Sequence, residues 1–172
     1  LDLLPIYLSY IHYMQNEDGT FRNFLSFRRD FLDEQGSEDS FGRAIWALGY
    51  LLGNAPNDAY FQSGKEIFFA AAPNFEKLQS IRSIANTIIG ICYYLERRPN
   101  DEGMTERLRN LSLKLVKQYS SQRSDNWHWY EDLLAYDNAM LPLALLHAAG
   151  ILNDAAIVET AMESLECLSA IT

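Results

Sequence analysis

Five carboxylates stand where paired acid–base chemistry could be done. Glu38 and Asp39 form one acidic pair, Glu131 and Asp132 form a second, and Asp137 follows closely. The two pairs have similar surroundings. After Glu38-Asp39 the chain reaches Arg43-Ala44, turns apolar and stops at Gly53. After Glu131-Asp132 it reaches Asn138-Ala139, turns apolar and stops at Gly150. This echo predicts equivalent positions for both pairs at the starts of two buried helices. Carboxyl groups facing each other across an opening are what glycoside hydrolysis needs. One protonates the leaving oxygen, and the other activates water or attacks carbon. Glu38, Asp39, Glu131, Asp132 and Asp137 are therefore the catalytic candidates. A structural reading stands beside this one for Glu38, Asp39 and Asp132, because carboxylates in a first helical turn suit the dipole and the free amides there.

Asp137 has a different problem. The pattern predicts a sixth helix over roughly 132–149, which would put Asp137 inside an apolar helix where an unpaired carboxylate is costly. Arg43 as a partner would resolve this, as would a sugar hydroxyl or a water. Pro142 falls near the centre of that predicted helix. There it would leave the carbonyl of Asn138 without a donor and bend the helix. Trp127, His128, Trp129 and Tyr136 surround the second acidic pair. Flat rings with a polar handle match the apolar face and polar edge of a sugar, although such rings also serve as core anchors. Asn23 lies in the long connection 20–36, where Phe21, Phe24, Phe27 and Phe31 form either one stripe of a short helix or the anchors of a folded loop pinned to the core, and where Asn23, Arg28 or Arg29 could reach a ligand. The binding candidates are Asn23, Arg43, Trp127, His128, Trp129, Tyr136 and Asn138.

Composition removes other classes. The chain has 172 residues, 48% of them hydrophobic, and a formal net charge of −9. That length supports one domain, 1–172, with a core of its own. The acidity argues against nucleic acid and against anionic membrane surfaces. No apolar run reaches the ~20 residues of a membrane span, and no signal peptide is evident, so a cytoplasmic location is expected. His12, His128 and His147 share no ligand spacing, and Cys92 and Cys167 sit in apolar helical patterns as thiols. No metal and no cofactor is expected.

Seven helices must position these residues. Helices are expected at about 1–15, 37–53, 58–72, 76–97, 101–120, 132–149 and 153–170. The first, third, fifth and seventh are amphipathic. The second, fourth and sixth are apolar on every face, as in 84–94, and are expected to be buried on every side. The economical packing is an inner layer of the three apolar helices wrapped by the other four. The inner helices then run parallel, and their acidic N-termini open on one rim. The fold class is all-α, an α/α hairpin array with a repeat of ~40–50 residues.

Three segments carry a family resemblance. They are DGTFRNF at 18–24, GSEDSFGRAIWALG at 36–49 and YEDLLAYDNA at 130–139. Together they resemble the bacterial six-hairpin proteins often encoded beside glycosyltransferases or mannoside phosphorylases, within the (α/α)6 toroid superfamily of glycosidases and sugar epimerases. The resemblance covers roughly residues 13–150. It implies an α/α toroid with Glu38, Asp39, Arg43, Glu131, Asp132, Asp137 and Asn138 around a central cleft. A complete ring needs six hairpins and this chain offers about seven helices. With a Leu rather than a Met at position 1, a fragment or half toroid is expected, closed by a second chain or by a C-terminal half. The functional expectation is a carbohydrate-active protein, glycoside hydrolase-like. The alternatives are a non-catalytic helical-repeat scaffold for protein partners and a sugar-binding or epimerase-like protein.

Overall fold

The computed structural model describes residues 3–171. Among them are seven α-helices and no sheet: α1 Leu4–Met14, α2 Glu38–Asn54, α3 Asp58–Ala71, α4 Ile81–Arg97, α5 Glu102–Gln122, α6 Met140–Leu152 and α7 Ala155–Ile171. Residues 1 and 2, where the first helix was expected to begin, lie outside the described residues. Side-chain oxygens cap five of the helices, α7 through Asp154 Oδ1, which accepts from the Ala156 and Ile157 amides. Ser37, Asn57, Ser80 and Asp101 each accept from the amide three residues on, which satisfies a donor that the first turn leaves free. Asn153, with φ of 52°, ends α6 in the left-handed conformation that asparagine tolerates.

The helices α2, α4 and α6 form one layer and run parallel. Gly42 abuts Ser83, Gly49 abuts Gly90 and Gly53 abuts Tyr93, a near-constant offset that only parallel helices give. A Cβ at Gly49 would lie 2.1 Å from the Gly90 carbonyl oxygen. The absence of side chains there is what lets the two backbones approach. Between α4 and α6 the same order holds: Arg82 meets Tyr136 and Asn138, and Tyr93 meets His147 further along. The helices α3, α5 and α7 pack on the other side of the layer.

The centre of the layer matches the sequence expectation. From residue 84 to 92 every side chain of α4 is buried, whereas α5 exposes Leu113. The outer members of the layer depart from it. Tyr50 on α2 is 54% exposed and Leu143 on α6 is 40% exposed. Only α4 has a layer neighbour on both flanks, so apolar composition on every face becomes burial on every side only there.

Two further expectations are corrected. The sixth helix starts at Met140, not near 132, and residues 131–139 form an irregular loop. Asp137 is in that loop with φ of 49°, a left-handed backbone that stops any helix from running through it. Pro142 is therefore the third helical residue rather than a central kink. Its missing N–H falls among donors that have no intrahelical partner, and its fixed φ suits a helix start. The segment 20–36 forms no helix. Isolated bridges Gln15–Phe21 and Leu25–Phe31 fold it back on itself. Of its phenylalanines only Phe21 is buried, while Phe24, Phe27 and Phe31 are exposed.

Candidate functional site

The rim at the N-termini of α2, α4 and α6 gathers most of the sequence-selected residues, and two arginines organise them. Arg43 projects from the second turn of α2. Its Nε donates to Asp39 Oδ2 at 2.9 Å, and its Nη2 donates to Asp137 Oδ2 across the gap to the 131–139 loop. One guanidinium thus ties together two carboxylates that are far apart in sequence, and both of them hold its pKa above the ordinary arginine value. Tyr136 completes the group. Its hydroxyl donates to Asp39 Oδ1 at 3.3 Å, and its ring is 52% exposed. The Tyr136 hydroxyl is held protonated above its usual range, first by desolvation and then by the Asp39 carboxylate.

Arg82 is the residue that sequence reasoning missed. It is the second residue of α4 and only 5% exposed. Nη1 and Nη2 donate to the two Glu131 oxygens at 2.9 and 2.7 Å, and Nε donates to the Tyr136 carbonyl at 2.5 Å. Nη2 also reaches Asn138 Oδ1 at 3.4 Å, and the guanidinium lies 4.6 Å from the centre of the Tyr136 ring. The Glu131 carboxylate raises its pKa further, against the cost of burial. The missed signal was present. A lone arginine at the head of an otherwise apolar helix must find an anion.

The structure separates the remaining candidates. Glu38 acts as a cap for the neighbouring helix: its Oε2 accepts from the amides of Gln79 and Ser80 at 2.9 and 2.6 Å, at the start of α4. Asp132 is exposed, and no other described residue bonds it. Asn138 Oδ1 accepts from Ala135 N as well as from Arg82, which closes the loop on itself. Trp127 is half-buried, and its Nε1 donates to the Glu131 carbonyl at 2.6 Å. His128 is half-buried. Trp129 corrects the expectation of a cleft wall. It is fully buried, stacked edge-on against Tyr130, so its indole is core. Asn23 bonds Ser37 Oγ through Nδ2 at 3.2 Å, and its Oδ1 is buried against Gly36, so it braces the α2 cap rather than facing outward.

Below the rim, the uncovered face of the layer carries Ala47 and Tyr50 from α2, Tyr93 from α4, and Leu143 and His147 from α6. The Tyr50 and Tyr93 rings meet edge-to-face at 5.2 Å, and Tyr93 lies 5.8 Å from His147. A row of rings therefore leads away from the charged rim. Among the described residues no group of three or more His, Cys, Asp or Glu is placed to hold a metal, and no helix is long and apolar enough to cross a membrane. Comparison of the chain with protein-family models, with curated proteins and with solved structures gives no match.

Proposed function

We propose that this chain is carbohydrate-active and glycoside hydrolase-like, with its sugar site on the rim where α2, α4 and α6 begin. The observation that carries the reading is Arg43 held between Asp39 and Asp137, beside the exposed ring of Tyr136. That arrangement offers acceptors, a multiple donor and a flat apolar surface together. A sugar presents the complement, hydroxyls around an edge and C–H groups on a face. The ring row Tyr50–Tyr93–His147 extends the same chemistry along the open face.

Roles follow from the free oxygens. Both oxygens of Glu131 and both of Asp39 already accept hydrogen bonds. Asp137 keeps Oδ1 free of any partner among the described residues, so it is the group that directs a water or a sugar hydroxyl. Asp39, on the same guanidinium, holds Arg43 in place for that group. The proton donor would come from Asp132, the one exposed acid of the second pair without a partner, or from a chain segment that closes the ring. Closure of the layer into a six-hairpin toroid, by a second chain or by a C-terminal half, belongs to this proposal.

A scaffold reading has one observation in its favour: α1 exposes Ile6, Tyr7, Tyr10 and Tyr13, a surface suited to a protein partner. Titration of the chain with a panel of neutral mono- and oligosaccharides, followed by backbone NMR, separates the two. The sugar reading expects saturable shifts at 136–139 and at Arg43, lost in Arg43→Ala and Asp137→Asn. Turnover of aryl glycosides would establish hydrolysis. Absence of saturable shifts with every sugar would refute the carbohydrate reading and leave the scaffold.

A further inference from the structure

The opposite end of the layer carries a second feature of different chemistry. The helix α4 ends in Arg97, followed by Arg98, and Lys65 of α3 faces the same open cleft of about 720 Å³. Arg82 and Arg97 are separated by nearly the whole of α4, ~23 Å at 1.5 Å per residue, so this cleft is remote from the rim. It concentrates positive charge on a chain of net charge −9.

None of these three cations is in an ion pair within 4.0 Å among the described residues. Every ion pair among the described residues uses Arg43, Arg82, Arg107, Arg109 or Arg123. The two arginines are also held in place. Their guanidinium carbons lie 4.8 and 5.0 Å from the centre of the buried Phe61 ring, and Arg97 Nη1 reaches the Leu52 carbonyl at 3.4 Å. A fixed fork loses little freedom when it binds an oxyanion. A second set of donors points the same way. The 21-residue helix α5 starts at this cleft, and the amides of Glu102 and Gly103 have no acceptor within their own helix. Gly103 faces open space, since a Cβ there would meet only Asp101 Oδ1 at 3.5 Å.

Two carboxylates border the cleft. Asp101 is engaged, with Oδ1 accepting from the Met104 amide at 3.0 Å and Oδ2 from the Tyr94 hydroxyl at 2.7 Å. Glu102 is exposed in the first turn of α5. An incoming oxyanion therefore meets three cations and two carboxylates, of which Asp101 is turned into the start of α5 and Glu102 is exposed.

We propose that the cleft formed by Lys65, Arg97, Arg98 and the first turn of α5 binds a phosphate group, either as inorganic phosphate or as a phosphate monoester on a small molecule. Guanidinium and ammonium donors with helix-start amides are the groups that recognise a tetrahedral oxyanion.

The test is an NMR titration of the full chain with inorganic phosphate and with a hexose phosphate, against sodium chloride at matched ionic strength. Saturable shifts of the Glu102 and Gly103 amides and of the Arg97 and Arg98 Nε–H groups are expected with phosphate and not with chloride. The double variant Lys65→Ala/Arg98→Ala, which leaves Arg97 on the Leu52 carbonyl, should bind at least about tenfold more weakly. Tighter binding of the hexose phosphate would identify a monoester ligand, and equal binding would identify the free anion. Shifts that chloride reproduces, shifts that do not saturate, or unchanged affinity in a folded double variant would each overturn the proposal.

Discussion

Arg82 and Glu131 meet as a two-pronged ion pair in which the cation is 5% exposed and the carboxylate side chain is 30% exposed. The pair joins the head of α4 to the loop that precedes α6, and the same guanidinium holds the carbonyl of Tyr136 and the side chain of Asn138. Arg82 thus sets the path of the whole loop that carries Tyr136 and Asp137 to the rim. Arg43 then fixes its outer end. The inner arginine is structural by its burial, and the outer one is available to a ligand by its exposure.

Replacing Arg82 by Met keeps the stem volume and strands Glu131. Breaking a buried pair from one side costs about 3–5 kcal/mol. Because Glu131 is partly solvated, about 2–3 kcal/mol is expected here. Urea unfolding would read this as a lower midpoint at unchanged slope. The double variant Arg82→Met/Glu131→Leu should recover part of the loss, since no charge is left without its partner. A single variant within ~1 kcal/mol of the parent would show that the pair does not hold the loop.

The contact between α2 and α4 makes two glycines behave oppositely. Gly49→Ala drives a methyl into the Gly90 carbonyl and should cost about 1–3 kcal/mol as the helices are forced apart. Gly150→Ala, in α6 with nothing within 4 Å of a Cβ, should stabilise by about 0.5–1 kcal/mol through helix propensity. Thermal unfolding of both variants checks the parallel packing directly. Equal effects would contradict the close approach at Gly49.

Part of this was legible in the sequence. An uninterrupted apolar run at 84–94 announces a helix with neighbours on every side, and α4 is that helix. The parallel inner layer follows from similar reasoning. The Arg43–Asp137 pair was expected for a carboxylate buried in an apolar helix, whereas it forms between exposed side chains with Asp137 in a loop. The helix over 132–149 was misread because Leu133, Leu134 and Tyr136 continue the apolar texture of α6 upstream. The chain breaks there through the left-handed backbone at Asp137, which composition does not reveal, and Pro142, expected as a central kink, belongs to the helix start. Trp127 and Trp129 are chemically alike, and only the path of the loop decides that one is half-buried and the other core. Arg82 was legible in the same terms, since a guanidinium just ahead of the apolar run 84–94 needs an anion once it is buried.

Alkaline pH should unfold the chain through buried phenols. Burial, aided by the hydrogen bond to Asp101, pushes Tyr94 up to about 12. Burial also raises Tyr119, which donates to Glu163 at 2.7 Å, and Tyr130, whose hydroxyl lies 3.0 Å from that of Ser164. Since the folded values are raised, the stability they contribute is complete below the unfolded value of about 10. It is lost as pH rises from there through 12 and above. Tyrosinate absorbance should therefore show at least three of the ten tyrosines ionising late and together with loss of helical signal. Smooth titration of all ten near the ordinary value, with the fold intact, would contradict the burial of these rings.

The last expectation concerns the charge balance around Arg43. Its two ion pairs are exposed, with the Arg43, Asp39 and Asp137 side chains 46%, 33% and 39% accessible. Each pair should contribute less than ~1 kcal/mol to folding. Arg43→Gln is therefore expected to leave the fold nearly as stable as the parent, with a urea midpoint shifted by less than the equivalent of ~1 kcal/mol per pair. What changes is the loop, which loses its tie to α2 and keeps only its anchor at Arg82. Nuclear Overhauser contacts between residues 136–137 and α2 should weaken in the variant, while the contact of the Arg82 Nε–H with residue 136 stays. Contacts to α2 as strong as in the parent would mean that Arg82 alone sets the position of Asp137.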